Sequence, residues 1–413
     1  MRKSAVTLLV CVGALAGTMF AAEGPVPKGV PHLDHVFVIL MENHAYGQIV
    51  GNPNAPFANR YMKSANTATN YYAIGHPSST NYLEIVGGSN FGVRSDNAPD
   101  WHNPDCTPNL QTTPPTTNFD TPNSGTVCPI YGTGTDGATP AIDTSGNECT
   151  APCSEIDVDG VLGFDAAPNT VGKTIADQLA DKGMRWKSYQ ESLPPSGADD
   201  VTYSDGFFTD LTVPSDIAGG LLKLYAAKHN PFVYFRSVQD DLKNGARNIA
   251  GFEGRRGLFE DLTSGHVPDF SFIAPNQCND QHGRENGGSQ CDFDFQSTGT
   301  QTGLNPALIY VGDLKLRNLV HAIHESRAWR DGRSVIVVVW DENDYSVVPN
   351  TNHVLTEVET NYGRGGRSSD RFYTHFSLLR SLEAGLGLPC LNHACDESTD
   401  VMLDLFGGEH GDR

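Results

Sequence analysis

The chain has 413 residues and carries 28 Lys and Arg against 49 Asp and Glu, a formal net charge of −21. This acidity argues against a general nucleic-acid binder and against an anionic membrane surface as a partner, because both need clustered cations. Hydrophobic residues make up 38% and charged residues 19%, which permits a sizeable core and excludes a wholly disordered chain. A small anion is compatible as a ligand where local charges or a metal override the global field.

The N-terminus has the layout of a secretory signal. Arg2 and Lys3 precede an apolar stretch from Ala5 to Phe20, which predicts a signal peptide over residues 1–22. The alternative is an N-terminal membrane anchor, although the stretch is short for a span. We therefore expect a secreted or periplasmic protein with no stable membrane insertion.

Cysteine usage agrees with export. One of the nine cysteines, Cys11, lies in the predicted signal, which leaves an even number for disulfides. We expect pairing between sequence neighbours, although the sequence alone does not fix the connectivity. The pairs would be Cys106 with Cys128, Cys149 with Cys153, Cys278 with Cys291, and Cys390 with Cys395. A four-cysteine zinc site is the competing interpretation, but no CxxC pair occurs in the sequence.

Two continuous apolar runs, at 36–40 and 334–340, are typical of strands buried on both faces of a parallel sheet. Shorter strand candidates lie at 232–235 and 270–273. Helical spacing is found for Val171, Ile175 and Leu179, for Leu316, Leu319, Val320 and Ile323, and for Leu378, Leu379 and Leu382. Strands that alternate with helices predict an α/β sheet covered on both sides.

Residues 90–165 differ from the rest in composition. They are rich in Thr, Pro, Asn, Asp and Gly, and they hold four cysteines. A loop of this length is unusual inside a compact domain. We predict a single domain over 23–413 that carries a disulfide-bearing insertion at about 90–165. The insertion is either a lid or rim over a site, or surface decoration.

Acidic side chains follow the two strongest strands. Glu42-Asn43 ends the first run and Asp341-Glu342 ends the late one. Ligands bind beyond the carboxyl ends of strands in open α/β sheets, and a buried charge needs solvent, a partner or a metal. The two pairs together indicate a shared cation site with oxygen ligands.

Three further segments hold candidate functional residues. Ser78 stands in a turn that enters a helix, where a serine is more often a cap than a nucleophile. Asp280 and His282 lie in a turn after the strand at 270–273, and His229 precedes the run at 232–235. A lone histidine is usually structural or exposed.

Together these segments resemble the bacterial and fungal phosphoesterase family of secreted acid phosphatases and phospholipase C-type enzymes, a branch of the alkaline phosphatase superfamily. The resemblance is carried, in the family's order, by HVFVILMENHAYGQIVGN (35–52), NYYAIGHPSSTNYLEIVGG (70–88), WKSYQESLP (186–194), KHNPFVYF (228–235), PDFSFIAPNQCNDQH (268–282), VVVWDENDYS (337–346) and YTHFSLLRSLEAGLGLP (373–389). It implies an αβα sandwich with a central, mostly parallel sheet like that of alkaline phosphatase. It also implies a hydrolase that acts on phosphoric ester bonds.

The resemblance assigns roles to the matched residues. It makes Ser78 the nucleophile, although Ser79 is a rival because Thr80 stands where the family usually has proline. His282 or Asp280 would protonate the leaving group. The other assignments are Asn81 and His229 as phosphate contacts, Glu42, Asn43, Ser78, Asp341 and Glu342 as metal ligands, and His375 as a late histidine that wider superfamily members place on a second metal.

The expected activity is hydrolysis of small phosphate monoesters through a phosphoserine, with a divalent metal ion as cofactor. Oxygen ligands suit Ca²⁺, Mg²⁺ or Mn²⁺, and Zn²⁺ and Fe are also compatible. Protonated His229 or His282 would favour an acidic working pH. The alternatives are a phospholipase C-type phosphodiesterase and a secreted binding protein that has lost catalysis.

Overall fold

Strands and helices alternate along the chain, which the computed structural model describes over residues 23–93, 96–100, 127–134, 170–193, 224–241, 246–284, 288–292, 304–343 and 351–407. The strands are β1 (His35–Met41), β2 (Asn66–Ala68), β3 (Tyr71–Tyr72), β4 (Thr133–Gly134), β5 (Thr170–Val171), β6 (Trp186–Gln190), β7 (Ile249–Ala250), β8 (Phe270–Ala274), β9 (Ser334–Trp340), β10 (Thr356–Thr360), β11 (Ser368–Ser369) and β12 (Tyr373–Thr374). The helices are α1 (Tyr46–Ile49), α2 (Pro56–Tyr61), α3 (Ser78–Gly87), α4 (Ile175–Asp181), α5 (Arg236–Asp240), α6 (Leu258–Ser264), α7 (Pro306–Glu325), α8 (Arg327–Arg330) and α9 (His375–Leu386).

The main sheet of the described residues has the strand order β11-β2-β10-β9-β1-β8-β6-β7. The strands β9, β1, β8, β6 and β7 run parallel, whereas β10 is antiparallel to both of its neighbours. All of β9 and nearly all of β1 are buried, so helices must cover both faces of the sheet. Helix α7 packs against α2, α6 and α8, whereas α3 packs against α4 and α9. The predicted α/β fold with a central, mostly parallel sheet is confirmed.

The strand predicted at 232–235 is wrong. Pro231–Tyr234 forms a 3₁₀ helix that leads into α5, although its apolar side chains are buried. Pro231 fixes one backbone angle and removes one donor, and the N–H of Val233 bonds back to Asn230 instead of to a neighbouring strand. The spacing of apolar residues alone does not distinguish a short buried helix from a short buried strand. The strand predicted at 270–273 is confirmed as β8.

Helix boundaries also differ from the predicted spacing. Val171 belongs to β5, and α4 begins later, at Ile175, where the Thr174 hydroxyl accepts from the backbone N–H of Ala176 at 3.1 Å. The predicted faces in α7 and α9 are confirmed. The predicted signal peptide at 1–22, most of the 90–165 segment, and Cys106, Cys149 and Cys153 lie outside the described residues.

Two of the expected disulfides are present, Cys278–Cys291 and Cys390–Cys395. The first closes the segment that holds Asp280 and His282. Among the described residues, no helix is both long enough and apolar enough to span a bilayer.

Glu383 in α9 provides a test of the electrostatics of the core. Its buried carboxylate accepts from the backbone N–H of Leu391 at 2.8 Å, and burial raises its pKa well above the ordinary value. A carboxyl group with a raised folded-state pKa costs stability once the pH rises above its unfolded-state pKa. We expect Glu383→Gln to raise the thermal midpoint at about pH 7.5 by a few degrees, with little effect near pH 4.

Calorimetry at both pH values measures this difference, with Glu397→Gln at an exposed carboxylate as the matched control. A lower midpoint for Glu383→Gln at neutral pH, or the same shift at both pH values, would contradict the expectation.

Candidate active site

The carboxyl ends of β1 and β9 bring the two acidic pairs together. In the parallel register Met41 lies opposite Trp340, so Glu42 and Asp341 leave the sheet side by side. The backbone N–H of Asp341 donates to the Met41 carbonyl at 2.9 Å, and the Asn43 N–H donates to Asp341 Oδ1 at 3.2 Å. The predicted association of these residues in space is thus present.

Ser78 is the first residue of α3, with Pro77 at the N-cap position. Its hydroxyl oxygen lies 3.1 Å from Glu42 Oε2 and 3.1 Å from Glu342 Oε1. A hydroxyl has one proton and can donate to only one of these carboxylates at a time. The second close contact therefore needs a protonated carboxyl group or a cation. The rival Ser79 is also buried, and its backbone N–H donates to Asp96 Oδ1 at 3.1 Å.

Asn81 holds the turn that precedes Ser78. Its side-chain oxygen accepts from the N–H groups of Ile74 and Gly75 at 3.1 and 2.9 Å. Its amide nitrogen donates to the Gly75 carbonyl at 2.7 Å and to Glu342 Oε2 at 3.1 Å. The residue predicted to contact phosphate thus also ties the α3 turn to the acidic pair after β9.

His229 bridges two buried carboxyl groups. Its Nε2 lies 3.1 Å from Glu42 Oε1, and its Nδ1 lies 3.2 Å from Asp280 Oδ2. These contacts are close but lack the alignment of hydrogen bonds, since His229 Nε2, Glu42 Oε1 and Asp280 Oδ2 have no hydrogen-bond partner among the described residues. The Tyr82 ring stacks on the imidazole at a centroid distance of 5.2 Å. The ring is therefore held in place between two acids.

Lys228 and His282 form a second contact beside this bridge. Lys228 Nζ lies 3.0 Å from His282 Nε2 and 2.7 Å from Asp96 Oδ2. His282 Nδ1 lies 2.7 Å from the Gly283 carbonyl, and the His282 N–H donates to Asp280 Oδ1 at 2.7 Å. Because a carbonyl only accepts, the His282 proton sits on Nδ1, and Nε2 accepts from Lys228.

Burial and like charge dominate the electrostatics of the carboxyl groups. Burial raises the pKa of Glu42, Asp341, Glu342 and Asp280, and a neighbouring carboxylate adds to the rise for Glu42, Asp341 and Asp280. Burial alone would lower the pKa of Lys228, but Asp96 and Glu42 outweigh it and raise that pKa. The lysine therefore stays charged among the acids.

The histidines respond in the opposite direction. Burial, reinforced by the Lys228 charge, lowers the pKa of His229 well below its ordinary value and that of His282 to about 3. Both rings are neutral near neutral pH. The expectation of protonated His229 and His282 therefore fits this arrangement only under strongly acidic conditions.

A metal fits this donor set. Ligand atoms of Glu42, His229 and His282 lie within 4.8 Å of one another. The Oδ2 atom of Asp341 and both side-chain polar atoms of Asn343 are also buried without a hydrogen-bond partner among the described residues. Buried acceptors such as Asp341 Oδ2 and Asn343 Oδ1 are costly unless a cation or water binds them. The combination of carboxylates with imidazoles suits Mn²⁺, Fe or Zn²⁺ as well as the harder ions.

His375 lies behind the acidic pair and contacts its backbone. Its Nε2 is 2.7 Å from the Asp341 carbonyl, and its Nδ1 is 3.0 Å from the Tyr71 hydroxyl. Burial lowers its pKa to about 4. Both ring nitrogens have protein partners, so the ring is placed to position Asp341.

Sequence reasoning missed three residues of this site. His76 Nδ1 lies 2.9 Å from Glu342 Oε2, and Lys228 and Asp96 complete the contacts described above. His76 and Lys228 each stand within two residues of a predicted functional residue. This closeness in sequence is the one feature that could have marked them as site residues. Asp96 lies in the 90–165 segment and had no motif to mark it.

Comparison with known proteins now bears on this arrangement. The sequence matches the Phosphoesterase family over residues 52–291, which is more than half of the chain. The chain belongs to the Phosphoesterase family. The matched region contains Ser78, His229 and Asp280. Membership confirms the resemblance seen in the sequence and the expected class of enzyme, hydrolases that act on phosphoric esters.

Two curated relatives illustrate the similarity. The chain is 24% identical over 362 residues to an acid phosphatase from Aspergillus fumigatus, a match that covers 86% of this chain but only 55% of the relative. It is 24% identical over 407 residues to a phosphatidylinositol-3-phosphatase from Mycobacterium tuberculosis, with 97% of this chain and 94% of the relative covered.

Among solved structures, a protein in the alkaline phosphatase superfamily from Vibrio parahaemolyticus is similar to the chain, with a TM-score of 0.45 and 12% identity. The match covers 90% of this chain and 70% of that one.

The position of His375 leads to a prediction. We expect His375→Gln to lower the free energy of unfolding by about 1–3 kcal/mol, because a buried hydrogen-bonded group loses partners. We also expect the variant to have the same metal content as the wild-type protein. Urea unfolding measures the free energy of unfolding, and elemental analysis measures the metal content. Tyr71→Phe, which removes only the hydroxyl that contacts His375, is the comparison variant with the smaller change. Loss of one metal equivalent without loss of stability would favour direct coordination by His375.

Proposed function

We propose that the protein is a metal-dependent phosphatase that hydrolyses phosphate monoesters through a phosphorylated Ser78. The observation that supports this best is the Ser78 hydroxyl at the start of α3, 3.1 Å from both Glu42 and Glu342. The N–H groups at a helix N-terminus favour an anion. The nucleophile would thus stand where a phosphoryl group can be bound.

The proposed metal ligands are Glu42, Asn43, Ser78, Asp341 and Glu342, with His229 as a neighbour that could extend the set. A divalent cation bound there would supply positive charge that favours the ionised form of the Ser78 hydroxyl. Glu42 and Glu342 are placed to take the hydroxyl proton. Attack of the Ser78 oxygen on phosphorus would form the phosphoserine while the ester P–O bond breaks and the alcohol leaves with a proton from an acid. Water would later attack the phosphoserine, release phosphate and restore the Ser78 hydroxyl.

Lys228 is proposed as the group that binds the phosphoryl oxygens. It keeps its charge in a partly buried position, and His282 orients its ammonium group through the contact of 3.0 Å. This changes the role expected for His282, since a ring that accepts from Lys228 at Nε2 and donates from Nδ1 has no proton to give to a leaving group. His282 is thereby assigned as a positioning residue.

Asp280 is then the proposed acid for the leaving group. Burial and Glu42 raise its pKa well above the ordinary value, so it can hold a proton at a pH where a normal aspartate is ionised. Its Oδ2 faces His229, which would return the proton between turnovers. In this assignment the pH at which the enzyme works is set by Asp280 rather than by charged histidines.

Ser78→Ala tests the nucleophile. We expect the turnover of p-nitrophenyl phosphate to fall by at least about 10³-fold, because no other group replaces the attacking oxygen. The matched control is Ser79→Ala, which should keep most of the activity and form acid-stable phosphoserine. Activity that survives in Ser78→Ala and is lost in Ser79→Ala would transfer the role to Ser79.

Asp341→Asn combined with Glu342→Gln tests the metal site. We expect the purified double variant to lose the bound divalent ion, about one per chain in the wild-type protein, because two anionic ligands are neutralised. Elemental analysis measures the ion, and Glu357→Gln is the control, since Glu357 is also a buried carboxylate but lies within β10. Equal metal content in the double variant and in the wild-type protein would contradict the ligand assignment.

A second candidate is a phosphatase that acts on an inositol phospholipid. It is favoured by the relative of that name from M. tuberculosis, which matches nearly end to end. Turnover of phosphatidylinositol 3-phosphate in mixed micelles, compared with p-nitrophenyl phosphate and with phosphatidylcholine as a diester, separates this function from a general monoesterase and from a phospholipase C. Exclusive hydrolysis of the diester would contradict the monoesterase proposal.

Export from the cytoplasm is also proposed. It is supported by the disulfides Cys278–Cys291 and Cys390–Cys395, since such bonds persist mainly in oxidising compartments.

A further inference from the structure

A cavity lies at the amino-terminal end of the parallel strands. It has a volume of about 550 Å³, within the usual range for small-molecule sites, about 300–1,000 Å³. Its walls come from the start of β6, the turn before α6, the end of α6 and the segment before β8. The acidic centre lies beyond the opposite ends of these strands, and a seven-residue strand such as β1 is about 23 Å long. The cavity is therefore separate from the candidate active site.

The charge of the cavity is opposite to that of the protein. Its lining contains four cations, Arg185, Lys187, Arg255 and Arg256, and two carboxylates, Glu260 and Asp261. The net charge of these side chains is +2, whereas the whole chain has −21. A concave positive surface on an acidic protein concentrates anions locally.

Two of the four cations, Lys187 and Arg185, have carboxylate partners, and two do not. Lys187 is buried against the Asp261 carboxylate and donates to the Arg256 carbonyl at 3.0 Å, and the Tyr189 hydroxyl donates to the same carboxylate at 2.6 Å. Arg255 and Arg256 form no ion pair among the described residues. Arg185 lies 3.8 Å from Asp269 and donates to the Val267 carbonyl at 2.9 Å, with most of its side chain exposed. Lys187 and Arg185 are thus neutralised within the protein, whereas the guanidinium groups of Arg255 and Arg256 are not.

The turn before α6 holds two arginines next to each other. Arg256 has a φ of 65°, a conformation that is strained for a residue other than glycine. Its N–H donates to the Glu260 carboxylate, and its carbonyl accepts from Lys187. The strained turn places Arg255 and Arg256 on one cavity wall, where their like charges repel unless an anion lies between them.

We propose that this cavity binds a small molecule that carries several phosphate groups. Guanidinium groups bind phosphate through paired N–H donors, and two adjacent ones without a carboxylate partner, on one wall of the cavity, suit more than one phosphate. The volume also exceeds what a single oxyanion needs. The ligand occupies a site distinct from the one where Ser78 would react, so the inference does not depend on the proposed function.

Inositol hexakisphosphate and inorganic phosphate are the probes. Isothermal titration calorimetry uses the Ser78→Ala protein as the parent, so that no turnover occurs. The parent is compared with a protein that carries Arg255→Ala and Arg256→Ala in addition. We expect the double change to weaken inositol hexakisphosphate binding at least about tenfold, because two phosphate-binding guanidinium groups are lost. The control is Arg364→Ala with Arg367→Ala, two exposed arginines before β11 at the opposite edge of the sheet, where we expect a change of less than about twofold.

With Ser78 intact, the cavity variants should hydrolyse p-nitrophenyl phosphate at the wild-type rate, which shows that the catalytic end is undisturbed. If the double variant does not fold, Arg255→Glu at an exposed side chain replaces it. Equal affinity for inositol hexakisphosphate with and without the cavity arginines, or no binding to the parent protein, overturns the proposal. Equally tight binding of inorganic phosphate overturns the assignment to a ligand with several phosphates.

Discussion

Burial of like charges at the carboxyl end of the sheet is the constraint that organises the site. Glu42 and Glu342 each lie 3.1 Å from the Ser78 hydroxyl, and Asp341 lies beside Glu42. All three carboxyl groups are buried. Ionised carboxylates in such a place repel each other and lose hydration, so they must hold protons or bind positive charge. Lys228 supplies one fixed charge from the edge of the group. A divalent cation would balance the remainder, and the same cation would make the serine reactive.

The fold satisfies this constraint with few elements. The parallel register of β1 and β9 brings Glu42 beside Asp341, and Asn81 connects Glu342 with the turn before α3. His375 and Tyr71 support the Asp341 backbone from behind. Each support is a neutral hydrogen-bonding group, so it holds an acid in place without competing for the cation.

The sequence was most informative where a strand's apolar run met polar residues. That boundary predicted both acidic pairs and the class of fold, because parallel strands must place their carboxyl ends at one edge. The same logic failed at 232–235, where a buried 3₁₀ helix has the composition of a strand. It also did not find Lys228 as a site residue or Asp96 as its partner, since a contact between residues 96 and 228 has no period and no motif. The protonation of His282 depends on the Lys228 contact and on burial, which only the folded chain creates.

Helix α3 is buried along its whole length, from Ser78 to Gly87. A substitution almost anywhere in it would disturb the core, so this segment has little freedom to vary as related proteins diverge. New substrate ranges must then arise at the entrance to the site, in segments whose changes cost little stability. The reaction chemistry and the choice of substrate are in this sense encoded in different parts of the chain, and selection can alter one while the other stays constant.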